Sequence, residues 1–299
     1  VITSVARPHH PVLGIACKLL SVVFLAGMAA CVKYLGSDVP AGQTIFVRGL
    51  ISCVLLVVIA SMTQGIQVLK TSNLKAHASR SLAGTMSMFC WFTALTLIPF
   101  ADMTAISFTT PMFLTVLAIF FLGERIHFYR WSALVIGFIG VAIMIGPHLS
   151  FAYGSTFGAA VGLAAAVFAA FALLFLRSMS GREHAITITF YFSLTSMICA
   201  AFTAFAGWPV PTRAQWIAIC LTGVFGVLGQ LMLTFSYRYA EASTIAPLDY
   251  TSLLTAILLG YYVFGEVPHV SIWVGAPLVV VAGLIILWRE YQLSLRRVN

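Results

Sequence analysis

The sequence predicts an all-α polytopic membrane protein, with ten transmembrane helices in two inverted five-helix repeats around a central cavity and both termini cytoplasmic. Three observations carry that expectation. Mean hydropathy is +1.03, with only eight Asp and Glu among 299 residues. The sixteen Lys and Arg stand mostly in short breaks between long apolar runs. The second half of the chain also repeats the pattern of the first. A soluble domain cannot hide this much apolar surface, so lipid must be the main solvent.

A bilayer core takes about 20 apolar residues per helix. Ten runs qualify: 14–36, 42–61, 79–98, 104–122, 131–149, 155–176, 186–206, 214–236, 243–262 and 271–288. They are too long and too continuously apolar for the alternating strands of a β-barrel. The expected order is a cytoplasmic N-terminal segment (1–13), a first repeat (14–149), a second, inverted repeat (155–288) and a basic cytoplasmic tail (289–299). The first run lacks an obvious cleavage site and reads as a retained span. Short loops leave no room for a soluble catalytic domain.

With the N-terminus inside, Arg7, Lys70, Lys75, Arg80, Arg125, Arg130, Arg177, Arg182, Arg238, Arg289, Arg296 and Arg297 are all cytoplasmic. Arg213 alone falls outside, while Lys18, Lys33 and Arg48 lie within spans. This positive-inside bias supports an even number of spans. It also accounts for the net charge of +8, which therefore gives no reason to expect nucleic-acid binding. The six cysteines all sit in apolar runs and read as core thiols, not as a disulfide frame or a metal site.

The repeat shows at matched positions. Val23-Phe24-Leu25-Ala26 recurs as Val167-Phe168-Ala169-Ala170, with Lys33 and Arg177 ten residues past each Val. Gly84, Trp91, Ala101 and Asp102 match Gly223, Gln230, Ala240 and Glu241. Gly123-Glu124 matches Gly265-Glu266, and Trp131 and Trp273 follow each Glu by seven residues. Five helices is an odd number, so the second copy must start on the opposite side of the membrane. Arg125 and Arg130 after Glu124, against no Lys or Arg after Glu266, agree with that inversion. Inverted copies offer two near-equivalent packings, a physical basis for alternating access.

This layout, its two Gly-Glu turns and the segments ISFTTPMFLTVLAIFFLGE and IAPLDYTSLLTAILLGYYVFGE resemble the drug/metabolite transporter superfamily, specifically its EamA-type exporters. Bacterial aromatic amino-acid exporters of that family are similar in layout. The resemblance covers nearly all of the chain. It implies export of amino acids, related small metabolites or toxic cations through a cavity shared by both halves, with the fifth and tenth helices peripheral. It also implies a multi-pass protein of the bacterial inner membrane.

Charges inside a span are costly and need a reason. Arg48 can snorkel to the external headgroups, bond another helix, or hold a substrate carboxylate in its two-pronged fork. Lys18 and Lys33, nearer the ends of the first span, are expected to snorkel. Asp249, the only acid well inside a span, follows the helix-breaking Pro247. It can carry a proton, bind an amino group or bond a neighbouring helix. Pro111 is expected to kink the fourth helix and, with Pro247, to mark helix breaks or gates. Trp91 and Gln230 should approach each other if their faces line the repeat axis. Phe46, Phe89, Phe108, Tyr191, Tyr237 and Tyr250 are candidate aromatic walls, against the bland reading of lipid-facing packing. Gly27, Gly84, Gly137, Gly140, Gly162, Gly223, Gly226 and Gly229 mark close helix approaches.

Glu124-x-x-His127 and Glu266-x-x-His269 look like a paired metal motif. Inversion puts them on opposite membrane faces, so they cannot share an ion, and cap or loop-anchoring roles are expected for the glutamates. No cofactor is expected, and no nucleotide or hydrolase fingerprint is present. The expected function is export of amino acids or related metabolites by alternating access, driven by a substrate or ion gradient, with proton coupling through Asp249 conceivable. Organic cations or drugs are the alternative substrates. An intramembrane enzyme or a nontransporting scaffold is the different class.

Overall fold

A computed structural model describes residues 11–63, 65–71, 73–122, 132, 135–144, 153–179, 183–239, 248–249 and 251–298. The main helices are α1 (Pro11–Leu35), α2 (Ala41–Thr63), α3 (Leu74–Leu97), α4 (Phe100–Ser107), α5 (Thr110–Leu122), α6 (Val135–Met144), α7 (Tyr153–Met179), α8 (Ala185–Ala201), α9 (Arg213–Tyr239), α10 (Thr251–Phe264) and α11 (Val270–Val298). The described residues contain no strand. They include six stretches long and apolar enough to cross a membrane, and the three shorter apolar helices α6, α10 and part of α11.

Polarity is distributed inside-out relative to a soluble protein. Val23, Val54, Phe120 and Tyr262 are exposed, whereas Ser21, Ser81, Thr85 and Thr222 are buried. Buried hydroxyls join helices: Thr85 and Ser196 bond at 2.9 Å between α3 and α8, and Ser87 donates to the Ala165 carbonyl of α7 at 2.8 Å. With lipid outside, such bonds and close packing hold helices together better than apolar contact does.

The main helix partners cross between the halves: α1 packs on α9, α3 on α7, and α2 on α8. Exchanging the halves maps the first pair onto the second and the third onto itself. That is the pattern a two-fold relation between two copies requires. It places α1, α2, α3, α7, α8 and α9 around a common axis.

The fourth span differs from the expectation in two ways. It starts at Phe100, directly after Pro99, and therefore buries Asp102, which lies outside the apolar run 104–122. It is also broken in two. The break falls at Phe108 and Thr109, and Pro111 lies in the first turn of α5, not at a kink within one helix. A first-turn Pro fits because its missing N–H would have no partner there. The buried Thr109 hydroxyl donates to the Ile106 carbonyl at 2.7 Å and helps close α4. Asp249 likewise falls outside the α-helix: with Leu248 it forms a short 3-10 stretch just before α10. Pro247, and the 123–131 segment with Glu124 and His127, are outside the described residues.

The expected close approaches occur on α9, where a Cβ at Gly223 would meet Ile51 at 2.8 Å and one at Gly229 would meet Leu25 at 2.8 Å. The tightest backbone contact is between α6 and α11. A Cβ on Gly140 would stand 2.7 Å from the Gly275 carbonyl, and one on Gly275 would stand 2.5 Å from the Gly140 carbonyl. Neither neighbour is a side chain that can turn away. Gly140→Val is expected to lower stability by about 2–3 kcal/mol through overpacking. Thermal unfolding of the purified protein checks it; an unchanged midpoint would mean that α6 and α11 are not in contact.

Candidate functional site

Two cavities are lined in part by buried charged side chains. The first, about 210 Å³, lies between α1, α3, α4, α9 and α10. At one end Lys18 Nζ meets Asp249 Oδ1 at 2.5 Å. The pair is lopsided: the Lys18 side chain is 2% exposed and that of Asp249 is 49% exposed. Asp249 therefore keeps an open carboxylate face, while Lys18 is enclosed. Along the wall, Trp91 Nε1 donates to Ser107 Oγ at 3.1 Å, and Ser107 in turn donates to the Met103 carbonyl at 2.9 Å. This chain orients the indole at the end of α4. Thr104 and Ser252 add hydroxyls, and Leu25 and Leu233 add apolar surface. The cavity thus offers an anion, a cation, a flat aromatic wall and small polar groups.

The second cavity is about 40 Å³ and lies between α2, α8 and α9. Arg48, Ser52, Thr189, Phe192, Ser193 and Gln230 line it. Arg48 is 6% exposed, and its Nη1 donates to Met88 Sδ at 3.1 Å. Arg80, counted above among the cytoplasmic charges, stacks its guanidinium 4.5 Å from the Phe192 ring centroid. A larger hollow of about 300 Å³ at the α1–α2 turn has Thr44, Thr93 and Thr96 in its wall but no charged side chain, so it is the weaker candidate.

The lysines of α1 correct the sequence expectation. Neither snorkels. Lys33 Nζ stands 2.7 Å from Glu266 Oε1 and donates to the Ile98 carbonyl at 2.8 Å and the Leu95 carbonyl at 3.2 Å. Glu266 Oε2 accepts from the Phe100 N–H at 2.8 Å. One node therefore places a cation at the end of α3 and an anion at the start of α4, the favourable sign at each helix terminus. The turn presenting Glu266 needs Gly265 at φ +66°, a conformation that favours glycine. Lys18 and Lys33 lie about 22 Å apart along α1 at 1.5 Å per residue. Both ends of α1 are thus fastened to the chain flanking α10.

The other candidates divide. Asp249 and Trp91 share the larger cavity, while Arg48 and Gln230 share the smaller. Trp91 and Gln230 are therefore not joint walls of one cavity, because they face different helix gaps. Phe46 packs against Trp208 at 5.3 Å, Tyr191 against His77 at 4.7 Å, and Phe89 and Phe108 against apolar cores. Tyr250 and the side chain of Tyr237 are outside the described residues. Sequence reasoning missed Lys18, Thr104 and Ser107. One signal was available: two lysines fifteen residues apart in one apolar helix, and two acids seventeen apart flanking another.

The model of the EamA-like transporter family matches residues 12–146 and again 156–288. The chain belongs to that family. The transporter is a multi-pass protein of the inner membrane. It is similar to the S-adenosylmethionine uptake transporter of Rickettsia bellii, at 27% identity over 96% of this chain and 97% of that one. The pseudopaline exporter CntI of Pseudomonas aeruginosa is 30% identical over 90% and 94%. The riboflavin transporter of Vibrio cholerae is 27% identical over 97% and 98%. These relatives are named for small metabolites moved in either direction. A solved crystal structure covering 94% of this chain and 98% of its own shares the fold, with a TM-score of 0.64 at 18% identity.

Proposed function

We propose that the transporter is a secondary exporter of amino acids or closely related zwitterionic metabolites, working by alternating access of two inverted repeats with both termini cytoplasmic. The observation that carries this reading is the half-open Lys18–Asp249 pair beside Trp91 in the 210 Å³ cavity. A zwitterion can take over both members of such a pair without leaving either charge uncompensated. Its carboxylate meets Lys18, its ammonium meets Asp249, and its apolar part lies on the Trp91 ring. Lys18 takes the role that the sequence reading gave to Arg48, which lines the separate, smaller cavity. The driving force is a substrate or ion gradient, with Asp249 the group through which a proton would couple.

The greater exposure of Asp249 favours a second reading, in which organic cations bind at the carboxylate alone. Flux into proteoliposomes, screened over amino acids and organic cations with and without a pH gradient, separates the two. Trp91→Ala is expected to slow flux of amino acids with large apolar side chains at least tenfold, the scale of about 1.4 kcal/mol of lost contact. Unchanged flux in that variant would remove the cavity from the pathway. Flux of cations but of no amino acid would replace the first reading with the second.

A further inference from the structure

We propose that the Arg48 cavity is a binding site for a small monovalent anion, separate from the Lys18–Asp249 cavity and independent of the substrate reading above. The argument starts from charge. A guanidinium stays protonated at any physiological pH, and a buried charge needs a counter-charge. Two other cations within spans have theirs: Lys18 has Asp249 at 2.5 Å and Lys33 has Glu266 at 2.7 Å, whereas Arg80 of α3 lies on the Phe192 ring, its Nε and Nη1 buried without a hydrogen-bond partner among the described residues. Arg48, at 6% exposure, has no carboxylate partner among the described residues. Among the described residues its one hydrogen-bond acceptor is a thioether sulfur, a weak one, and its buried Nε has no partner.

The surroundings supply the rest of an anion site. The cavity has room for two or three waters, which is also the scale of a halide ion or one carboxylate group. Hydroxyls of Ser52 and Ser193 line it and can donate hydrogen bonds, and Thr189 and Gln230, each with a partner of its own, complete the polar wall. Leu56, Val227 and Phe192 close the remainder with apolar surface, which strengthens the attraction between the guanidinium and its counter-ion. Gly226 leaves room for the guanidinium, since a Cβ there would stand 2.9 Å from Arg48 Nε. The shared chemistry is a compact negative charge. Its source is either an inorganic halide or the carboxylate of a small solute.

The test uses purified transporter in detergent without any transported substrate. Thermal unfolding is followed while sodium isethionate, whose anion is bulky, is replaced by chloride or by acetate at constant ionic strength. A saturable rise of about 2–4 °C is expected at several times the dissociation constant. The rise should vanish in Arg48→Gln. A rise with chloride alone identifies an inorganic ion, and one with acetate alone identifies a carboxylate. If Arg48→Gln does not fold, Ser193→Val fills the cavity while keeping the guanidinium, and must also abolish the rise. Crystals grown in bromide should show anomalous density beside Arg48. No saturable rise with either anion in the wild type, or an undiminished rise in the folded variants, overturns the proposal.

Discussion

Asp249→Asn is expected to destabilise the transporter by about 3–5 kcal/mol and to abolish transport, the largest effect of any single substitution considered. The change removes one charge and almost no volume, so packing does not contribute. Its cost comes from Lys18, which is 2% exposed and loses the carboxylate that stands 2.5 Å away. The converse substitution should be milder. Lys18→Met leaves behind a carboxylate that is 49% exposed and can be solvated through the cavity. Lys18→Met combined with Asp249→Asn should recover most of the stability, because no unbalanced charge remains. It should not recover transport of zwitterions. Denaturation of the four proteins in detergent gives the comparison. Equal costs for the two single variants, or a double variant no better than Asp249→Asn, would show that the pair is not an isolated ion pair in solution.

Glu266→Ala is expected to cost about 2–3 kcal/mol and to loosen the start of α4. The glutamate serves two partners at once, the Lys33 ammonium and the Phe100 N–H. Lys33 keeps the Leu95 and Ile98 carbonyls, so its loss is partial and the cost is below that of Asp249→Asn. Phe100 N–H loses its acceptor outright. Amide exchange at Phe100 should therefore accelerate at least tenfold, while exchange in the middle of α3 stays unchanged. Glu266→Gln separates the two roles. Its amide oxygen can still accept from Phe100, so exchange there should stay near wild type although the charge on Lys33 is uncompensated. Equal exchange at Phe100 in all three proteins would remove Glu266 from the capping role.

The two experiments probe opposite ends of one contact. α1 belongs to the first half of the chain, whereas Asp249 and Glu266 belong to the second. Separating α1 from α10 at either end requires the ion pair at that end to break. Rocking of the kind proposed above, about a point between the pairs, would break them one at a time. Each variant should accordingly alter conformational exchange at its own end first.

Membrane residence, helical class, repetition and family were legible in the linear chain because each depends on local order. A run of apolar residues must seek lipid whatever its neighbours are, and a duplicated pattern keeps its order in one dimension. Trp91 and Asp249 could be nominated for the same reason: an indole or a carboxylate within an apolar run is unusual wherever it ends up. The partners could not. Lys18 and Asp249 are 231 residues apart, and a lysine near the end of an apolar helix satisfies the snorkelling rule equally well until an acid is brought to it. The same holds for Lys33 and Glu266. The separation of Trp91 from Gln230, the break at Phe108 and Thr109 and the guanidinium of Arg48 without a carboxylate among the described residues depend on which helix faces meet. Sequence alone determined the solvent of this chain and the symmetry of its plan; tertiary structure decided where each buried charge finds its opposite, because the energy of a charge in a low-dielectric interior depends on distances that linear order does not encode.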